Sequence, residues 1–485
     1  MALHPTTRRV DAFMSSSDIY LCVHGHFYQP PRQNPFTGTI DREPAAEPFH
    51  DFNERIWAEC YLPNAEAGNF HRMSFNVGPT LAAWLQQVHP STLRLIETAA
   101  GRTMARTGHS NAMAQAYHHT ILPLATAREK RLQIAWGVRD YRRRFGALPE
   151  GMWLPEAAVD VETLETLAAA GLRFVILAPW QAAGDDVDVT EPYRVDLSGG
   201  RDLAVFFYNA PLSGNVSFND DATSDAGRFT ANDLLAQVNP AKRQAGRPQL
   251  VTIATDGELY GHHKRFRDLF LAHLLGIDAP ANGFEVTTPG AYLALHPPIA
   301  EMGVRPGTSW SCMHGVARWD EGCACTPGDS AWKSPLRTAL RNLATRVDAV
   351  YEAETSGLLR DPWAALEEYI DLRDGATAPA DYWSAHAARA LRTAGEQRLR
   401  GLLEMEVARQ AMFVSCAWFF EDVDRIEPRI ALAYARRAVA LAGVHGGADL
   451  DGAFAADLTA SVSARTGRSA ADIYREFAES VAGVA

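Results

Sequence analysis

The sequence predicts an α/β fold with a parallel sheet, followed by a smaller helical domain. Three observations carry this expectation. Short apolar runs alternate with helical patterns over the first two thirds of the chain, and such alternation builds parallel sheets with crossover helices. From about residue 330 the texture becomes long, alanine-rich and periodic at helical spacing. The length of 485 residues exceeds one ordinary domain and suits one large α/β domain with a smaller companion.

Taken in order, IYLCVH (19–24), MSFNV (73–77), GMWL (151–154), RFVIL (173–177), LAVFFY (203–208) and LVTIAT (250–255) are expected strands, with FEVTT (284–288) a weaker one. Each is short, apolar and rich in β-branched or aromatic residues. PTLAAWLQQV (79–88) and VETLETLAAAG (161–171) are expected helices, the second ending on a capping glycine. Residues 181–249 break the pattern with the acidic run GDDVD, the pair Gly199–Gly200 and the polar stretch FNDDATSDAG. They are expected to form inserted loops with a hairpin around the active face. Residues 1–17 are expected to be a disordered extension, 18–329 the catalytic α/β domain and 330–485 the helical domain, with SAADIYREFAESVA a late helix.

Composition narrows the function. The apolar share is 47% and the charged share 21%, as in globular proteins. The net charge of −12 argues against nucleic-acid partners, which need a basic face. No run approaches the 18 or so apolar residues of a membrane span, and the first residues hold no signal-peptide stretch. Six sparse cysteines are no disulfide scaffold, and Cys22 and Cys416 sit in apolar surroundings as expected buried thiols. A reducing, cytoplasmic location is expected. Oligomeric state is not legible.

Four clusters hold residues that do chemistry, each at or near a strand end. In HGHFYQPP, His24 and His26 alternate and so face one side. A bare H-x-H also fits two structural histidines. In AYHHTILPLA, His119 is expected to point inward and His118 to lie on the surface. In GMWLPEAAVD, Glu156 is either a strand-end carboxylate or an acid at the start of the following helix. TDGELYGHH places Asp256, Glu258, His262 and His263 directly after an apolar strand. A solvated Asp-Gly turn is the bland alternative, but so dense a group of ionisable residues favours a site. Two carboxylates from different strand ends suit glycoside cleavage. Imidazoles can bind sugar hydroxyls, and Trp153, Trp310 and Trp319 can stack on pyranose faces, although any one tryptophan also suits a core.

These motifs, in this order over residues 18–335, resemble glycoside hydrolase family 57. HGHFYQP resembles its first region and HHTILP its second, whose histidine falls on His119. GMWLPEAA resembles the third, which makes Glu156 the nucleophile, and TDGELYGHH the fourth, which makes Asp256 the general acid/base. In SWSCMHGVARW, Trp310 and Trp319 fall on two tryptophans that line the substrate groove. The resemblance implies an incomplete TIM-like (β/α)7 barrel followed by a helical domain. It implies retaining action on α-glucans, as an α-amylase, 4-α-glucanotransferase or branching enzyme, with no cofactor and no metal. His24, His26, His119, Trp153 and His262 then join Trp310 and Trp319 in binding the sugar. Ser311, Cys312 and His314 stand where branching members carry glycines, so branching is not transferred. The chain most resembles a subgroup whose helical region has no known function and whose members are often longer.

Two other classes fit the same residues. A metal-dependent hydrolase would hold zinc through His24, His26, His119 and Asp256. A non-catalytic glucan-binding protein would keep the fold alone. Cys312, His314, Cys323 and Cys325 lie within fourteen residues. Their spacing matches no common zinc finger, so free thiols near the groove are expected.

Overall fold

A computed structural model describes residues 18–477. The expected disordered extension, 1–17, lies outside the described residues, as does the end of the late helix; its described part is Ala470–Arg475.

The first strand, β1 (Ile19–Phe27), is buried along its whole length. A strand covered on both faces reads as continuous apolar sequence, and parallel sheets require this. β2 (Ser74–Val77), β3 (Ala114–Gln115), β4 (Met152–Trp153), β5 (Phe174–Leu177), β6 (Tyr193–Asp196), β7 (Asp202–Phe207), β8 (Gln249–Asp256), β9 (Glu285–Val286) and β10 (Ala300–Glu301) follow. β1 pairs in parallel with β8, His26 opposite Asp256, and with β2, His26 opposite Asn76. The lower half of β1 also pairs with β9. β3 pairs with β4, Gln115 opposite Trp153, and β5 with β7, both in parallel. Single parallel bridges, Phe75 with Ala112 and Gly151 with Phe174, link β2 towards β3 and β4 towards β5. The Asn209 N–H just beyond β7 donates to the Thr252 carbonyl of β8 at 2.7 Å.

The expected strands all form. β3, β6 and β10 were missed, since two of them are two residues long and β6 is half polar. The expected hairpin is the antiparallel pair of β6 and β7, closed through Gly199 and Gly200, both at positive φ. The rest of 181–249 corrects the loop expectation. Ala210–Phe218 is helical because the Asn209 side chain accepts from Leu212 N and Pro211 occupies the first turn. Further short helical turns follow between 226 and 244.

The helices Pro79–Val88 and Val161–Ala169 appear as expected. Beyond residue 330, Lys333–Thr355, Thr393–Ala411 and Ile426–Gly446 bury alanine- and leucine-rich faces against one another. Gly401 is needed there, because a Cβ would fall 2.2 Å from the His445 ring. The core of this bundle also takes in Tyr117, Ile121, Leu132 and Trp136 from the α/β part. Buried charge crosses the same boundary: Arg341 and Arg409 both grip Glu129. Burial opposes the Glu129 charge, but the two guanidinium groups outweigh it and hold the carboxyl down at about 2. No described helix is long and apolar enough to cross a membrane.

Candidate active site

β1, β2, β3, β4 and β8 carry His24, His26, Ser74, Asn76, Gln115, Trp153 and Asp256 in adjacent register, with His26, Asn76, Gln115, Trp153 and Asp256 towards the carboxyl ends. Their hydrogen bonds form one chain. Asn76 Nδ2 donates to Gln115 Oε1 at 2.7 Å and to His26 Nδ1 at 2.9 Å. Asn76 Oδ1 lies 3.2 Å from the same nitrogen; with the shorter Nδ2 contact as the hydrogen bond, His26 Nδ1 is an acceptor and its proton sits on Nε2, pointing at His119 Nε2, 3.0 Å away. His119 must then carry its own proton on Nδ1, which meets Ser415 Oγ at 2.6 Å. His24 donates from Nε2 to Asn76 Oδ1 at 3.1 Å and accepts at Nδ1 from Ser74 at 2.9 Å. Each imidazole has one proton and two partners, which assigns three neutral rings. Burial acts the same way, pushing His24 and His26 down to about 3 and His119 well below its ordinary value.

This network corrects part of the sequence expectation. His24 is fully enclosed with both nitrogens engaged, so it offers no hydroxyl contact. Trp153 is also enclosed, stacked on His24 and His26 at 4.8 and 5.2 Å, and forms the wall behind them. Trp319 is fully buried in the helical core near Phe419 and presents no face to a groove. His118 is buried rather than on the surface, with Gln133 on Nδ1 at 3.1 Å and Trp136 against its ring. His26 and His119 are nearly enclosed, and Tyr28 stacks on His119 at 3.9 Å. Cys22 is buried and Cys416 half-buried.

Glu156 resolves to a strand-end residue. It lies in the short turn Pro155–Ala157 after β4, while the next helix starts at Val161 under its own cap, Asp160. Its φ is 57°, and Ala157 and His119 also have positive φ. With Phe266, these are all the non-glycine residues so held among the described residues. Left-handed backbone costs a side-chain-bearing residue about 1 kcal/mol or more and collects where a site over-determines it. Glu156 Oε2 accepts from Ser311 Oγ at 2.7 Å and from Trp310 Nε1 at 3.1 Å. Burial raises its affinity for a proton, and these two donors with Arg318 oppose that.

Asp256 ends β8 with its side chain open to solvent, although dense protein surrounds the position. That recess is poorly solvating and Glu156 adds repulsion, so Asp256 is pushed up to about 7. Glu258 is buried. Its Oε1 accepts from Tyr61 Oη at 2.7 Å and from Tyr28 N at 3.0 Å. Burial, eased by the Tyr61 bond and reinforced by Asp256, pushes Glu258 to about 8. His262 pairs with Glu59 at 2.6 Å. The glycines of TDGELYGHH serve close approach: a Cβ on Gly257 would lie 2.3 Å from Phe27, and one on Gly261 2.2 Å from the Glu59 carbonyl.

Four contributors escaped sequence reasoning. Asn76 and Gln115 orient the histidines, and alternating Ser74 and Asn76 inside the apolar MSFNV was a usable sign. Trp180 is 46% exposed beyond β5, with its Nε1 on the Ser309 carbonyl at 3.0 Å. It continues an aromatic run through Tyr208 and Trp310 to Trp153. The sign was a tryptophan soon after the apolar strand RFVIL. Ser415 comes from the helical part, and nothing local in sequence connects it to His119. A cavity of about 720 Å³ lined by His71, Arg72, Arg102 and Arg106 shares no residue with this cluster.

A parallel-sheet scaffold thus carries two carboxylates and an aromatic run at its strand ends. The sequence profile of glycosyl hydrolase family 57 matches residues 25–303, and that of a domain of unknown function, DUF3536, matches 329–482. The chain belongs to glycosyl hydrolase family 57. It is 23% identical over 182 residues to an α-amylase of Pyrococcus horikoshii, covering 36% of this chain and 28% of that protein. It is 25% identical over 188 residues to a 4-α-glucanotransferase of Thermococcus litoralis, covering 36% and 27%. The matches thus span just over a quarter of the length of these curated relatives. In structure it is similar to an exo-type maltose-forming amylase from Pyrococcus sp. ST04, with TM-score 0.72 at 16% identity over 90% of this chain and 82% of that one.

Proposed function

We propose that this protein is a retaining glycoside hydrolase or transglycosylase acting on α-glucans. The observation that carries the reading is the pair Glu156 and Asp256: burial first, and repulsion from Glu156 second, leave Asp256 at about 7, while burial also raises Glu156 against the opposing donors Ser311 and Trp310. An acid that keeps its proton near neutrality, beside a carboxylate that accepts from two donors, suits an acid and a nucleophile. Glu156 attacks the anomeric carbon, forming a glycosyl ester as the glycosidic C–O bond breaks, and Asp256 gives its proton to the departing oxygen. Asp256 then takes a proton from water or from a sugar hydroxyl as that oxygen displaces Glu156. Water gives hydrolysis and a sugar gives transfer; both retain configuration.

Trp310 and the exposed Trp180 are the stacking surfaces of this reading. His26, His119 and His262 border the sugar, with His26 and His119 acting chiefly to hold the site's shape. We read β1, β2, β3, β4, β5, β7 and β8 as a (β/α)7 barrel, supported by the bridges between its sheets and the Asn209–Thr252 bond. Residues 18–329 are its catalytic domain and 330–485 the helical domain. Unpaired cysteines support a reducing, cytoplasmic setting. The zinc reading of His24, His26, His119 and Asp256 has less support, because hydrogen bonds occupy every ring nitrogen of the three histidines.

The test is product analysis with maltoheptaose and amylose. The parent protein is expected to shorten or redistribute them. Glu156→Gln is expected to abolish turnover, and Asp256→Asn to reduce it by about 10²–10⁴-fold. Unchanged glucans with the parent would overturn the α-glucan assignment.

A further inference from the structure

The two family profiles leave residues 304–328 uncovered. Within them, Cys312, His314, Cys323 and Cys325 converge, with one ligand atom of each within 4.8 Å of all the others. Cys312 Sγ lies 3.4 Å from Cys323 Sγ and 3.8 Å from Cys325 Sγ, and His314 Nδ1 lies 3.3 Å from Cys325 Sγ. A tetrahedral zinc ion with Zn–S of about 2.3 Å and Zn–N of about 2.0–2.1 Å separates its ligand atoms by roughly 3.5–3.8 Å. A disulfide brings two sulfurs to about 2.05 Å, well inside these separations. Thiols are weak hydrogen-bond donors, so mutual bonding gives little reason to gather three of them around one imidazole.

Lys333 supplies a second, independent observation. Its side chain is fully buried, and Nζ donates to the Arg318 carbonyl at 3.1 Å and to Thr326 Oγ1 at 3.3 Å. Among the described residues no carboxylate reaches it within ion-pair distance. A buried cation with only neutral acceptors is costly. Three thiolates and a neutral imidazole around Zn²⁺ carry a net charge of −1, and Lys333 adjoins them through Thr326 and Arg318.

We propose that Cys312, His314, Cys323 and Cys325 bind one zinc ion, which pins the segment presenting Trp310 and Ser311 to Glu156. Binding releases the thiol protons to solvent and leaves no open coordination position, as in structural zinc sites. The ion's presence rests on the four ligands alone; the pinning role rests also on Glu156 being the nucleophile.

The experiment is zinc quantification on the full chain, purified under reducing conditions without chelator, beside His314→Ala/Cys325→Ser. Those two side chains are exposed and half-buried, so the variant is expected to keep the parent's circular dichroism. One zinc per chain is expected in the parent, falling at least tenfold in the variant. Cobalt(II) reconstitution is expected to give thiolate charge-transfer and tetrahedral d–d bands in the parent only. No zinc and no cobalt bands in the parent, zinc retained by the variant, or a Cys312–Cys323 disulfide on thiol counting would each overturn the site. Zinc bound, but maltoheptaose turnover unchanged on stripping it, would overturn the pinning role and leave the ion.

Discussion

The α/β part and the helical part of this chain are held by different physics. The α/β part places neutral histidines, raised carboxyl pKa values and left-handed backbone together at its strand ends. The helical part has no left-handed non-glycine residue among the described residues and buries long apolar faces; Arg409 grips Glu129 of the α/β part, and Lys333 and Glu406 are buried there as well. Strained backbone is concentrated where chemistry is proposed, whereas buried charge occurs in both parts. Yet the two parts are not independent. They share a core through Trp136 and Leu132, and Ser415 completes the histidine chain at His119.

The comparison breaks most sharply at Glu156. Glu156→Gln is expected to lose all measurable glucan turnover while the unfolding midpoint in urea moves little. A variant that unfolds instead would make Glu156 a structural group. Next comes the boundary between the parts. Arg409→Leu strands the Glu129 carboxylate beside Arg341 alone, and removal of one partner of a buried pair costs about 3–5 kcal/mol. Urea unfolding of the full chain reads this, and a loss below about 1 kcal/mol would mean the parts are only loosely joined.

Smaller effects sharpen the picture. Trp180→Ala should raise KM for maltoheptaose by about 3–10-fold with kcat nearly unchanged, since a stacking contact is worth roughly 0.5–1.5 kcal/mol. A fall in kcat at constant KM would remove Trp180 from substrate binding. Ser415→Ala deletes one hydrogen bond and should cost about 1 kcal/mol, with a several-fold drop in kcat if the helical part orients His119. Stability lost without any change in kcat would confine the contact to packing. The pH profile follows from Asp256. It must be protonated to act as the acid, so kcat/KM should fall as pH rises through about 7. Glu258 bears on stability rather than on turnover. Its folded value of about 8 exceeds that of the unfolded chain, so its contribution is fully present below about 4.5 and lost as pH rises towards 8. Glu258→Gln should flatten that decline in thermal midpoint, and an unchanged decline would assign it elsewhere.

Much of this was legible in the chain. β1 and β8 announced themselves as the apolar runs IYLCVH, which leads into His24 and His26, and LVTIAT, which leads into Asp256, because a strand buried on both faces is largely apolar. The reach of sequence stopped where partners are distant. His24, Trp153 and Trp319 have the residue types of a sugar site, but enclosure depends on what packs over them. Ser415 and His119 lie 296 residues apart, and no local periodicity encodes such a meeting.

By itself, the sequence determined the alternation of strands and helices, the switch to a helical bundle near 330, and the placing of Asp256 at a strand end, while it left Glu156 open between a strand end and a helix start. Those features follow from hydrophobic periodicity and turn chemistry, which act over a few residues. Tertiary structure alone decided which histidines are scaffold, which tryptophans are exposed, and that Cys312, His314, Cys323 and Cys325 converge against expectation from their spacing. Such outcomes depend on burial and on contacts between separate segments. Desolvation and hydrogen-bond satisfaction are set by the final packing, which no short stretch of chain contains.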